Sequence, residues 1–259
     1  MRVFEFTNAI LRMPGRSVVN GLRDDTSQTP RYDVVRAEHA AYADALRAIG
    51  IAVDVLPALE DFPDSMFVED PALTFANGAI LLRPGAPSRL GERETIQGAL
   101  QKHFTNILSI DAPDEFVDGG DILVTPKTVF IGLSKRTNRK GADALARRLA
   151  ELGHTSRIEQ TPPGILHFKT ASSLMSEEAI LATKPLAASG VFDGFDVILT
   201  PEGEEAAANA LRMNDTVFVG SHYPRTIDLL AKRGFDVRPL AVSEVAKLDA
   251  GLSCMSLRW

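Results

Sequence analysis

The chain is poor in the residues that staple, anchor or electrostatically label a protein. One cysteine, Cys254, among 259 residues excludes an intramolecular disulfide framework and any cysteine-rich zinc module, and makes a reducing compartment the expected setting. Basic charge is not in excess: 28 Lys and Arg stand against 34 Asp and Glu, a formal net charge of −6, with the two signs interspersed. A nucleic-acid surface needs clustered cations to neutralise phosphates, so that partner is excluded, whereas a small cationic ligand suits the balance. No apolar run is long enough to span a bilayer, and no membrane partner is expected. The first sixteen residues carry Glu5 and Arg12 where a secretory leader would need an apolar core. A cytoplasmic protein is the expectation. Also lacking are a glycine-rich phosphate loop, a dinucleotide fingerprint, a His-Glu-x-x-His pair and a Gly-x-Ser-x-Gly elbow. Asn214-Asp215-Thr216 matches a glycosylation sequon but reads as a turn.

What remains is an ordinary globular composition, 45% hydrophobic and 24% charged, and within it a unit of about 50 residues that recurs. The unit runs strand, tight turn, strand, helix, strand. Its clearest copy has apolar 122–124, a turn at Pro126-Lys127, β-rich 128–131, and a helix over 138–152 stopped by Gly153. A second places strands at 72–75 and 79–82 around Asn77-Gly78, a strong hairpin signal, with a helix over 88–102 capped by Ser88. A third has strands at 209–213 and 216–220 around Asn214-Asp215, and a helix over 224–232 opened by Pro224 and closed by Gly234. A fourth, weaker copy pairs 172–175 with 179–182 and puts its helix after Lys184. The chain ends supply a fifth if they meet: strands 252–257 and 3–6, helix 33–49, strand 51–55. No linker divides the chain, so a single domain over 1–259 is expected; an unsymmetric mixed α/β sheet is the alternative that periodicity alone leaves open.

Few side chains could carry chemistry. Cys254 would ordinarily be a buried small hydrophobe, but Gly251 allows close backbone approach and Ser253 and Ser256 are polar neighbours. His167, in Leu-His-Phe-Lys-Thr, is the best candidate base; His39 falls on a polar helix face, His103 and His154 at helix ends, and His222 in a turn. Spacing does not say whether His167 meets Cys254. Two acidic groups fit a solvent-facing role badly: Asp64 to Asp70, where Asp70 ends an apolar run before a proline, and Asp118-Gly119-Gly120-Asp121. Carboxylates at strand tips beside a nucleophile suit a planar cation such as a guanidinium, whose paired N–H donors match their oxygens. Arg89 and Arg136 occupy the same place in two copies of the unit, between second strand and helix, and could bind a ligand carboxylate together.

In order along the chain, the segments 62–70, 83–89, 118–121, 133–138, 166–170 and 252–256 resemble dimethylarginine dimethylaminohydrolase, a family of guanidino-group-modifying (pentein) enzymes. The resemblance covers nearly the whole chain. It implies a five-bladed α/β propeller of ββαβ units and hydrolysis of Nω-methylated arginines to citrulline, without metal or organic cofactor. Residue by residue, it implies Cys254 as nucleophile, His167 as general acid and base, and Asp70 and Asp118 as guanidinium contacts, Asp118 being the shorter of the two acids that relatives carry there. It further implies Arg89 and Arg136 on the α-carboxylate, Asp64 and Glu69 among the substrate contacts, and backbone carbonyls of Leu22 and Leu248 on the α-amino group. Phe168 in place of a commoner Leu implies a packing change only, and a homodimer is the implied assembly. Rival readings are an arginine deiminase, an amidinotransferase of the same fold, or a propeller that binds without catalysing.

Overall fold

The computed structural model describes residues 3–259; Met1 and Arg2, at the start of the expected domain, lie outside the described residues. Five three-stranded sheets form the frame, each built the same way. An antiparallel pair, a β-hairpin in four of the five, is followed by a helical crossover that returns the chain to add a third strand parallel to the second. The units are β3 (Ala72–Phe75), β4 (Gly78–Leu81), α2 (Glu92–Leu100) and β5 (Ile107–Ser109); then β6 (Ile122–Val124), β7 (Val129–Leu133), α3 (Arg139–Glu151) and β8 (Ser156–Gln160). There follow β9 (Ser172–Leu174), β10 (Ala179–Ala182), α4 (Lys184–Ala187) and β11 (Asp196–Leu199), and β12 (Leu211–Met213), β13 (Thr216–Gly220), α5 (Pro224–Lys232) and β14 (Asp236–Leu240). The fifth unit joins the chain ends: β15 (Leu257–Arg258) pairs with β1 (Asn8–Arg12), followed by α1 (Tyr32–Ala48) and β2 (Ala52–Leu56). The fold is the expected five-unit α/β propeller, with the first strand of each sheet toward the axis, where β15 meets β3 and β9 meets both β6 and β12.

The hydrophobic side chains sit in five clusters, and each cluster is a seam between neighbouring units. Leu73, Ile80 and Ile122 pack with Ala142, Leu145 and Leu149 of α3; Ile10 packs with Leu81, Ile96 and Leu100; Leu211 and Phe218 pack with Val35, Tyr42 and Leu46 of α1. Phe168, Phe130 and Leu186 fill a fourth seam, and Leu181, Val217 and Leu230 a fifth. Every helix therefore lays its apolar stripe against the preceding unit as well as its own sheet, so no unit can bury its face alone. Gly50, Gly153 and Gly234, after α1, α3 and α5, have φ of +85°, +80° and +87°, the left-handed stop that a glycine takes without a Cβ clash.

Several boundaries differ from expectation for local reasons. The first strand is Asn8–Arg12 and not 3–6, because Ile10 pairs with Leu257. Segment 3–6 instead reaches the β12–β13 turn, where Phe6 N donates to Asn214 Oδ1 at 2.8 Å and Arg212 lies over the Phe4 ring. Only the last residues of 252–257 are strand, since Ser253–Met255 form a 3-10 turn. The β3–β4 turn is Ala76-Asn77, one residue early, as Phe75 pairs with Gly78; a Cβ on Gly78 would stand 2.9 Å from Asn106 O. Helix α2 begins at Glu92 because Pro87–Arg89 form a separate 3-10 turn, so Ser88 caps nothing. Asn138 is the cap of α3 and not its first residue, its side chain accepting from Gly141 N at 2.8 Å. No helix of the described residues is long and apolar enough to cross a membrane.

Candidate active site

Each unit sends one polar side chain toward the axis from the turn that leads into its first strand. Asp70 precedes β3, Asp118 precedes β6, His167 precedes β9, Asn209 precedes β12 and Cys254 precedes β15. Four of these turns are 3-10 turns, at Gly119–Asp121, Phe168–Thr170, Glu205–Ala208 and Ser253–Met255. Asp118 and His167 stand just before their turns, Cys254 within its turn and Asn209 just after its own. Asp70, Asp118, His167 and Cys254 line one cleft of about 260 Å³, together with Asp64, Arg89 and Arg136 from the connecting loops and Leu22 and Leu248 at its mouth.

The acids and the imidazole are locked by hydrogen bonds. His167 Nε2 lies 3.0 Å from Asp118 Oδ2, and Asp118 Oδ1 accepts Gly85 N at 2.7 Å. Asp70 Oδ1 accepts Gly120 N at 2.9 Å. Gly120 is hemmed in: a Cβ there would stand 2.8 Å from His167 Nδ1 and 3.0 Å from Asp70 Oδ1. Asp121 holds the imidazole turn in place, its Oδ1 accepting Phe168 N at 2.9 Å while Ser134 and Thr137 donate to Oδ2. Phe168 packs beneath, its ring 5.6 Å from that of Phe192.

Burial and charge act in opposite senses here. Burial disfavours a charged imidazole, but Asp121, Asp118 and Asp70 outweigh it and raise His167 to about 9. Burial, with a smaller push from Asp118, raises Asp121 to about 6 against the opposing pull of His167, Ser134 and Thr137. It also raises the Cys254 thiol to about 11, assisted by Glu69 and Asp70 and opposed by Gly251 and Asn209. Asp70 falls below the ordinary carboxylate range despite its burial, because Arg89 and His167 face it. Asp64 is raised by burial, which Arg89 offsets only in part.

The two arginines that look equivalent in sequence differ. Arg89 is buried and committed: it donates to Asp70, to both oxygens of Glu92 at 2.9 and 2.7 Å, and to the carbonyls of Asp64 and Phe67. Arg136 is half-buried, and its side chain has no such anchors among the described residues. Asp64 accepts Leu22 N at 2.9 Å, tying the 21–25 loop to the cleft, and Asp249 accepts Asp24 N at 2.6 Å across the mouth. Leu248 is buried against Gly21.

Glu69 is not brought into the cleft. Asp70 lines the cleft with Cys254, while the Glu69 carboxylate turns behind it to Lys169, Arg258 and Ser253. The lining of the cleft includes Asp64 and Asp70 but not Glu69. The sequence also hid Asn209, whose Nδ2 lies 3.5 Å from Cys254 Sγ and whose Oδ1 accepts Ser253 N at 3.2 Å. The available signal was its place in the repeat, two residues before a first strand, as with Asp70. His39 is buried at 3% exposure, not on a polar face, and burial lowers it to about 4. Asp70, Asp118 and His167 could each offer one donor atom to a metal ion, the three within 4.8 Å of one another.

Comparison with known proteins agrees in family and fold. Residues 20–181 match the family model described as N,N dimethylarginine dimethylhydrolase, eukaryotic. The chain is 37% identical over 255 residues to N(G),N(G)-dimethylarginine dimethylaminohydrolase of Pseudomonas aeruginosa, covering 98% of this chain and all of that one. It is 28% identical to the enzyme of the same name from Streptomyces coelicolor, covering 96% of each. A solved structure of the Pseudomonas protein, a cysteine-to-serine mutant complexed with citrulline, superposes with a TM-score of 0.95 at 36% identity, covering 99% of this chain and all of that one.

Proposed function

Given that this chain belongs to the dimethylarginine dimethylaminohydrolase family, we propose that it hydrolyses Nω-methylated arginines to citrulline and methylamine or dimethylamine through a covalent intermediate on Cys254. The observation that carries this reading is the convergence of Cys254, the His167–Asp118 pair and Asp70 in one small cleft, with Arg136 lining the same cleft. A guanidinium fits between Asp70 and Asp118, and the substrate carboxylate meets Arg136, with Arg89 serving chiefly to fix Asp70. The carbonyls of Leu22 and Leu248 take the α-amino group, beside Asp64.

The resting Cys254 is a thiol, since burial and two acids disfavour the thiolate. Arrival of a cationic guanidinium reverses that balance, and the thiol proton leaves to solvent. The thiolate attacks the guanidinium carbon, forming a C–S bond and a neutral tetrahedral adduct. His167, charged at neutral pH, gives its proton to the methylated nitrogen, and the C–N bond breaks to leave a thiouronium on Cys254. Neutral His167 then takes a proton from water as that water adds to the same carbon. Collapse breaks the C–S bond, the proton on the new oxygen returns to sulfur, and citrulline departs.

The test is citrulline release from asymmetric dimethylarginine, monomethylarginine and arginine in parallel, with Cys254→Ser as the blank. Turnover of the methylated substrates alone is expected; preference for arginine would make the protein a deiminase, and release at a near-wild-type rate by Cys254→Ser would overturn the nucleophile. No release from any of the three would leave a transferase or a binding protein. The single cysteine and the family resemblance further support a cytoplasmic protein and a homodimer.

A further inference from the structure

Behind the cleft lies a second, larger cavity of about 680 Å³. All five first strands contribute to its wall, so it runs along the same axis from the other end. The partition is thin: Asp70 and Cys254 face the cleft while Glu69 and Ser253 face the cavity, and Glu69 N donates to Cys254 O at 3.3 Å. None of the chemistry derived above uses this space.

Its floor is charged and out of balance. Glu69 Oε1 accepts from Lys169 Nζ at 2.5 Å and from Arg258 Nη2 at 2.9 Å, so two cations share one carboxylate. The three side chains are 3%, 12% and 14% exposed, too enclosed for bulk water to screen the surplus positive charge. Above the floor the wall turns apolar, with Phe75 on β3 and Leu174 on β9, and it includes Ser173, 6% exposed, whose hydroxyl has no partner among the described residues. Glu5 and Arg212, one acid and one base, also line the cavity. A cavity of this size with an apolar body and one charged end has the proportions of a small-molecule site.

We propose that this axial cavity is a second ligand site, which takes a small anion with an apolar body, its carboxylate seated on Lys169 and Arg258 and its hydrocarbon part against Phe75 and Leu174. An anion there neutralises the surplus charge while its body removes apolar wall from water. Because the floor is also the back of the Cys254 turn, cleft and cavity can be filled together.

The test is calorimetric titration of the full chain with 4-phenylbutyrate and with the uncharged 4-phenylbutanol, each repeated with saturating citrulline. One 4-phenylbutyrate per chain is expected, about tenfold tighter than the alcohol and undisturbed by citrulline. Lys169→Met should weaken the acid by about tenfold and leave the alcohol unchanged, and Leu174→Trp, which narrows the cavity without touching its charge, should weaken both. Absence of binding at millimolar concentration, equal affinity for acid and alcohol, displacement by citrulline, or unaltered binding to Leu174→Trp would each overturn the proposal.

Discussion

At the residue scale, the centre of this protein depends on side chains that spoil one another's ordinary ionisation. His167 is enclosed and would be neutral if alone; three carboxylates keep it charged up to about pH 9. Its raised value has a defined sign for stability. The contribution from the ionised imidazole is fully present below the ordinary value of 6.5 and is lost as pH rises through about 9. An NMR titration of the His167 ring should therefore show a midpoint near 9, and Asp118→Asn should move it down, with a matching fall in the pH at which citrulline release declines. A midpoint unchanged by that substitution would mean that the 3.0 Å contact has no electrostatic effect.

At the scale of the element, the short turns before the first strands are what aim the chemistry. Gly119 shows how tightly they are packed: a Cβ there would collide with the Glu69 carbonyl, part of the neighbouring unit's backbone. Gly119→Ala must push one turn away from the other, and overpacking of this kind costs about 1–3 kcal/mol. Urea unfolding should report that loss, and citrulline release should fall further than stability does, because Asp70 and Asp118 move apart. A variant of unchanged stability and activity would show that the two turns separate freely.

For the whole molecule, closure of the ring is the decisive event. The strand that completes the fifth sheet is two residues long, Leu257–Arg258, and together with Trp259, which exchanges backbone hydrogen bonds with Asn8, it joins the carboxyl end to β1. We propose that residues 3–259 fold as one unit, since each hydrophobic seam is shared by two neighbouring units and the two seams beside β1 draw buried side chains from both ends of the chain. Thermal unfolding should be a single transition for the full chain. Removal of 257–259 should lower its midpoint by more than an ordinary trimmed terminus, since it removes the pairing with β1 and the packing against β3, and should abolish turnover by releasing Cys254. Two separate transitions in the intact chain would argue for independent units.

Much of this was written locally. Strand, turn and helix stops recur because alternation, Asn-Asp turns and glycine exits are properties of short segments, which is why α5 is found where Pro224 and Gly234 place it. Cys254, His167, Asp70 and Asp118 were legible as candidates because their residue types are rare or oddly placed. What the segments could not contain is direction and distance. That Glu69 turns away from Asp70, that Arg89 is bound internally while Arg136 is not, and that Asn209 reaches the Cys254 sulfur all depend on contacts between residues 19 to 189 positions apart. Such contacts exist only once the five units have closed around one axis, so the sequence by itself determined the parts and their chemistry, and the tertiary structure decided which of them face each other.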